Sequence, residues 1–204
     1  MSIYDVFIMP SFRRSLRARC FFDNHVGFDK NSHVVVLVVR SYDFGAYVKE
    51  AGKACVVVRL PEMSVGVGVQ ICHLWKLDFA VMLDDDVKSL KKHASIIDVV
   101  AELQKTMATD GKIALVGGTK TVGGNTKNPD VPWDQTPQVL VLLNLKVLQE
   151  IGLNYDHRLC FCEDFVLAMM AVQRGTLVKM IPAVKVNGEM THAHGGVGSP
   201  ASGK

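Results

Sequence analysis

The sequence predicts an α/β fold in which a mainly parallel central sheet is flanked by helices. Four short apolar runs have the length of strands: residues 4–9, 33–39, 54–60 and Phe79–Leu83. Helix-length segments separate them, at residues 14–24, Phe44–Ala51 and 63–76, which is the spacing of βαβ units. The second run, Val34-Val35-Val36-Leu37-Val38-Val39, is unbroken, as expected of a strand buried on both faces.

Each element has its own signals. Pro10 ends the first strand and Pro61 the third. Ile97, Val100, Leu103 and Met107 recur at helical spacing and predict a helix over Ile96–Met107. Residues 113–116 read as a short strand that stops at Gly117-Gly118. Residues 119–137, rich in Gly, Thr, Asn and Pro, read as a long irregular loop, and such loops are often functional. A strand is expected at 138–143, then a helix at 145–151 closed by Gly152. A further helix at 165–173 is closed by Arg174-Gly175, and a last strand covers 177–186 around Pro182. No repeat or linker divides the chain. One domain is expected over 1–194, with a flexible Gly- and Ser-rich tail at 195–204.

Composition narrows the class. With 204 residues, 49% apolar and 21% charged, the chain can bury a sizeable core. No apolar run has the length of a membrane span, and the N-terminus lacks the shape of a signal peptide. Five cysteines, an odd number, lie in scattered apolar contexts; Cys55 and Cys72 read as core. Cys160 and Cys162 have no second pair, which argues against zinc. Reduced thiols fit a cytoplasmic or nuclear protein that is not secreted. A net charge of +3 names no partner by itself.

The strongest chemical signal is Asp84-Asp85-Asp86, directly after the apolar run Phe79–Leu83. Three adjacent anions cannot continue a buried strand, because desolvating them costs too much. They belong where the strand emerges, and the carboxyl ends of strands are where open α/β sheets bind ligands. A carboxylate cluster there suits a hard divalent cation and, through it, a phosphate-bearing substrate. The alternative is a helix N-terminus, where acids offset the macrodipole and Ser89 or Ser95 would cap the helix.

Three further groups could join the triplet. Pro10-Ser11-Phe12-Arg13-Arg14-Ser15-Leu16-Arg17-Ala18-Arg19 follows the first strand and holds four arginines. Arginine forks match phosphate geometry, and Arg13 and Arg17 share a face if the turn is helical. A solvated basic face and contact with a nucleic-acid backbone are the other readings. Glu163-Asp164 precedes an apolar helix and is either a helix start or a general base at a cleft rim. His192 and His194, with Gly195-Gly196 after them, are either structural or close over a metal held by the triplet. Two look-alike motifs fail. Gly198 to Lys204 has phosphate-loop spacing but no following Ser/Thr or helix, and Gly66-Val67-Gly68 lacks its third glycine, with Ile71 in its place.

The order of these features resembles GT-A fold glycosyltransferases over nearly the whole chain. Leu145 to Gly152, Cys162-Glu163-Asp164-Phe165 and Arg174-Gly175 look especially like family-two-type enzymes. More narrowly, Ile8-Met9-Pro10-Ser11-x-Arg13 and the setting of the triplet resemble the TET-associated glycosyltransferase family. That family is associated with sugar transfer to hydroxymethylated pyrimidines in phage DNA. The resemblance implies a Rossmann-like sandwich and transfer from a nucleoside-diphosphate sugar, UDP-linked, by inverting single displacement. It implies that Asp84 of the aspartate (DxD) motif contacts ribose or donor sugar, with Asp85 beside it. Asp86 would bind Mn²⁺ or Mg²⁺, with Asp85 as the alternative ligand and His192 or His194 as a further one. Pro10, Ser11, Arg13 and Arg17 would lie near the nucleotide. Asp164 would be the catalytic base, with Glu163 next to it. The implied acceptor is hydroxymethylcytosine or a related base in DNA; a protein Ser/Thr is the alternative, and no membrane is involved. Nucleotidyl transfer would call for a Gly-rich loop with Lys after the first strand, where this chain has arginines and no glycine. A non-catalytic module that keeps the fold is the third reading.

Overall fold

Parallel pairing around one central strand organises the first half of the chain. In the computed structural model, which describes residues 6–11, 27, 33–51, 56–60, 65–85, 87–91, 95–121, 137, 139–156 and 163–187, β1 (Val6–Pro10) lies between β2 (Val34–Arg40) and β4 (Phe79–Leu83). β3 (Val56–Leu60) extends the parallel set beyond β2. β5 (Ser89–Lys91), β6 (Ile113–Thr121), β7 (Leu140–Asn144) and β8 (Leu177–Asn187) complete an eight-stranded sheet of order β3-β2-β1-β4-β7-β6-β8-β5. Parallel pairs predominate, as the sequence predicts. β7 runs antiparallel between β4 and β6, and β5 antiparallel to β8.

Alternation along the strands divides the core into two layers. Phe7, Met9, Val35, Leu37, Val81 and Leu83 face one side, and Val6, Ile8, Val36, Val38, Ala80 and Met82 the other. Helices α1 (Phe44–Ala51) and α3 (Ile96–Met107) cover the first side. Helices α2 (Val65–Leu74), α4 (Leu145–Glu150) and α5 (Glu163–Gln173) cover the second. Both faces of the central strands are therefore buried, which explains their unbroken apolar runs. Among the described residues, no helix is long and apolar enough to cross a membrane.

Caps account for the helix boundaries near the site. Ser95 and Asp98 form a capping box: Asp98 N–H donates to Ser95 Oγ at 3.3 Å, and Ser95 N–H to Asp98 Oδ2 at 3.0 Å. Asn144 caps α4, accepting from Val147 N–H at 3.2 Å, while its amide donates to Ile113 O at 3.1 Å. One side chain thus starts the helix and fastens it to β6. Arg174, just past α5, donates to the carbonyls of Ile151 and Gly152 and joins the far ends of α4 and α5.

One expectation is overturned. β6 does not stop at Gly117-Gly118 but runs through them to Thr121. A Cβ on Gly117 would sit 2.5 Å from Pro137 Cβ and 2.7 Å from Leu140 O. On Gly118 it would sit 2.6 Å from Val184 Cγ1 and 2.8 Å from Val184 O. The glycines permit close approach within the sheet rather than a turn out of it. Beside them β8 bulges, its register jumping from Ile181 to Lys185 across Pro182, which has no N–H to give the ladder. The predicted helix at 14–24 and tail at 195–204 lie outside the described residues, as does most of the predicted loop at 119–137.

These contacts predict opposite effects for two glycine substitutions. Gly117→Ala should cost about 1–3 kcal/mol, because a methyl group is forced against backbone. Gly45→Ala, in α1 with nothing within 4 Å of the new methyl, should add up to about 1 kcal/mol. Urea denaturation midpoints read both; equal shifts would show that β6 has room at Gly117.

Candidate functional site

β1 and β4 are parallel neighbours, with Phe7 opposite Val81 and Ile8 opposite Met82, so their carboxyl ends emerge side by side. Ser11 follows β1, and Asp84 and Asp85 follow β4. The triplet leads to the short strand β5, and α3 begins only at Ile96, capped by Ser95. Capping of a following helix therefore does not account for the acids. Asp84 and Asp85 stand at the carboxyl end of β4, the end at which open α/β sheets bind ligands.

Ser11 and Asp85 bond each other. Ser11 N–H donates to Val38 O at 3.0 Å, which aligns the residue with β2. Its hydroxyl donates to Asp85 Oδ2. A serine hydroxyl carries one proton, so the adjoining Tyr47 hydroxyl, 2.5 Å away, must donate to Ser11 Oγ. The order of donation is Tyr47 to Ser11 to Asp85. Tyr47, on α1, is fully buried, and Asp85 is only 5% exposed. A carboxylate so placed is tolerable only when hydrogen-bonded. Asp85 thus turns inward and fastens the triplet to β1 and α1.

Asp84 is half-buried, and its N–H donates to Val139 O at 2.8 Å. Val139 has φ +68°, a left-handed conformation that is strained for a β-branched residue. It is buried at the mouth of β7, where antiparallel pairing sets Leu140 opposite Leu83. The strained residue therefore abuts the acidic turn.

The second half of the chain supplies the facing groups. Glu163 and Asp164 form the first turn of α5, where negative charge offsets the macrodipole. Both are half-buried. Tyr155, which follows α4, is buried. Tyr155 holds its proton well beyond the ordinary tyrosine range. Burial is the largest cause, followed by the Asp164 charge and hydrogen bond, then by Glu163 and Asp84. The charges of Asp164, at the start of α5, and, most weakly, of Asp84, at the end of β4, both favour its protonated form.

Of the predicted site residues, the fold gathers Ser11, Asp84 and Asp85 at the carboxyl ends of the central strands β1 and β4, with Pro10 the last residue of β1. It brings Asp164 and Glu163 to the same neighbourhood through Tyr155. Arg13, Arg17, Asp86, His192 and His194 lie outside the described residues. Among the described residues there is no cluster of three or more His, Cys, Asp or Glu that would hold a metal. Tyr47, Tyr155 and Val139 were not legible as site residues. For the two tyrosines one signal existed: a buried phenol needs a partner for its hydroxyl. Cys72 is buried as expected, and burial pushes its thiol up to about 12, which leaves it inert as a nucleophile.

Solved structures share this architecture. TarS residues 1–349 of S. aureus, in complex with UDP, matches with a TM-score of 0.61 and 12% identity, covering 92% of this chain and 60% of that one. The mannosyltransferase PcManGT of Pyrobaculum calidifontis, with GDP-Man and Mn²⁺, matches at 0.63 and 14%, covering 94% and 58%. A cytidylyltransferase of Leptospira borgpetersenii matches at 0.53 and 13%, covering 89% and 76%. The chain thus spans about 60% of the length of the two glycosyltransferases it matches. No curated protein matches its sequence. The fold is of GT-A type. A family model described as TET-Associated Glycosyltransferase matches residues 4–196, from just before β1 to beyond β8, and it is to this family that the chain belongs.

Proposed function

We propose that the chain is a metal-dependent, inverting glycosyltransferase. It moves a sugar from a nucleoside-diphosphate donor, UDP-linked, to the hydroxyl of a hydroxymethylated pyrimidine in DNA. The observation that carries this reading is the placement of Asp84 directly after β4, at the carboxyl end of the parallel strands, with Asp164 in the first turn of α5. Membership of the TET-associated family supports the modified base as acceptor, and the UDP and GDP-Man bound by the two glycosyltransferases support the donor class.

Each residue has a role in this reading. Pro10 and Ser11 shape the floor under the nucleotide, and Arg13 and Arg17 meet its phosphates. Asp84 contacts the ribose or sugar, and Asp85, turned inward to Ser11, holds the motif in place. Asp86, with His192 or His194, would hold Mn²⁺ or Mg²⁺; carboxylate oxygens at a strand end suit such hard cations. The metal would supply positive charge against the departing diphosphate. Asp164 takes the proton of the acceptor hydroxyl as its oxygen bonds the anomeric carbon and the bond to the diphosphate breaks. Attack from the face opposite the leaving group inverts that carbon. Glu163 adds negative charge beside the base.

Calorimetric titration of UDP should show binding that requires Mn²⁺ and disappears in Asp86→Ala; a folded wild-type protein with no binding sinks the uridine donor. Asp164→Asn should lower transfer to hydroxymethylcytosine DNA at least about 100-fold while leaving UDP and Mn²⁺ binding near wild type. Mass spectrometry of the DNA reads the transfer, and an active Asp164→Asn would remove the base from the scheme. Ser11→Ala leaves Asp85 and Tyr47 without their shared partner. It should lower stability by about 1–3 kcal/mol and weaken UDP binding as well. Unchanged UDP affinity would show that the fastening does not shape the donor site.

A further inference from the structure

We propose that the corner of the sheet built by β5 and the carboxyl ends of β6 and β8 is a cationic docking surface for the sugar-phosphate backbone of the DNA that carries the acceptor. The inference deepens the reading above and rests on a nucleic-acid acceptor. β7 runs antiparallel to β4, and β6 antiparallel to β7. β6 and its parallel neighbour β8 therefore end on the same side of the sheet as β1 and β4. Lys91 on β5 is directly opposite Lys185 on β8, and Lys185 is opposite Thr119 on β6. Lys120 is opposite Val186, the next residue along β8. Lys88 N–H donates to Asn187 O at 2.7 Å, which brings a fourth lysine to the corner. The segments 88–91, 119–121 and 185–187 contain no acid.

Like charges at directly opposed positions of an antiparallel pair are destabilising. The pairing of Lys91 with Lys185 is thus a cost to the fold that a bound polyanion would offset. Lys88 is exposed and Lys185 half-buried. Neutral groups of the kind that meet phosphates accompany them: Ser89, Thr119 and Asn187 are half-buried, and Asn187 Nδ2 donates to Ser89 Oγ at 3.5 Å. Val184 and Val186 are buried in the first core layer, so Lys185 between them faces the opposite side of the sheet. On that side α5 packs against β8. The chain leaves α5 and enters β8 at the far end of the sheet, so the first turn of α5, with Asp164, lies toward the corner. β4 and β8 are three ladder spacings apart, about 14 Å at about 4.8 Å each. A DNA strand advances about 3.4 Å per nucleotide, so backbone about four nucleotides from the reacting base would reach the corner.

The test is fluorescence anisotropy of a labelled DNA duplex titrated with the protein over a range of KCl concentrations. The double variant Lys91→Gln/Lys185→Gln removes the opposed pair. A control, Lys105→Gln/Lys112→Gln, removes the same charge from exposed lysines beside the start of β6. Circular dichroism establishes that each variant is folded. The corner variant should bind DNA about tenfold more weakly, with a plot of log K against log salt shallower by about two. Lys185→Gln alone should give about half of that change in slope. The control should keep wild-type affinity and slope, and both double variants should keep wild-type UDP binding. Equal losses in the two double variants, or a wild-type slope in the corner variant, overturn the surface. In transfer assays the KM for DNA should rise in the corner variant while that for free 5-hydroxymethyldeoxycytidine stays unchanged. No DNA binding by the folded wild-type protein overturns surface and acceptor together. Corner-dependent binding without sugar transfer to hydroxymethylcytosine DNA supports the surface and sinks the proposed acceptor.

Discussion

A carboxylate buried at the end of a parallel strand needs hydrogen bonds, and the organisation of the site follows from how Asp85 obtains one. Its partner is the hydroxyl of Ser11, itself saturated by Tyr47. The three residues come from the turn after β4, the turn after β1 and helix α1. Their donation order leaves each proton with one acceptor, so the arrangement is specific rather than merely polar. Asp85 is drawn inward, while Asp84 before it stays half-buried at the end of β4.

The second constraint is the direction of β7. Running antiparallel to β4, it begins where β4 ends, and so delivers Val139 to the acidic turn. At its other end it passes into α4 through Asn144, whose amide also grips β6. From α4 the chain goes to Tyr155 and then to α5, whose first turn carries Glu163 and Asp164. The tight seam of β6 and β8 at Gly117 and Gly118 braces this half of the sheet. Strain at Val139 persists because the pairing around it determines its conformation. It lies beside the residues assigned here to the donor.

Much of the architecture was legible in the sequence for simple reasons. Strands buried on both faces leave continuous apolar runs, and helices α1 and α3 leave boundary signals that match their observed ends. That Asp84-Asp85-Asp86 lies past the end of a strand was legible because three anions cannot be buried in a row without compensation. Gly117-Gly118 misled, because a glycine pair reads the same whether it turns a chain or lets two backbones approach. The antiparallel entry of β7 was hidden, since strand direction leaves no mark on composition. Tyr47 and Tyr155 were hidden because their roles depend on partners more than thirty residues away or on another element.

By itself the sequence determined the class of fold, the strand-end placement of the acids and the separate signal of Glu163-Asp164. These are local properties: periodicity, caps and the cost of burying charge act within a few residues. Only the tertiary structure decided that Asp85 turns inward to Ser11 while Asp84 stays half-buried. It alone decided that Asp85 bonds Ser11, more than seventy residues away in sequence. Those outcomes depend on strand order and direction, which arise from packing two helical layers onto one sheet, and no local pattern encodes them.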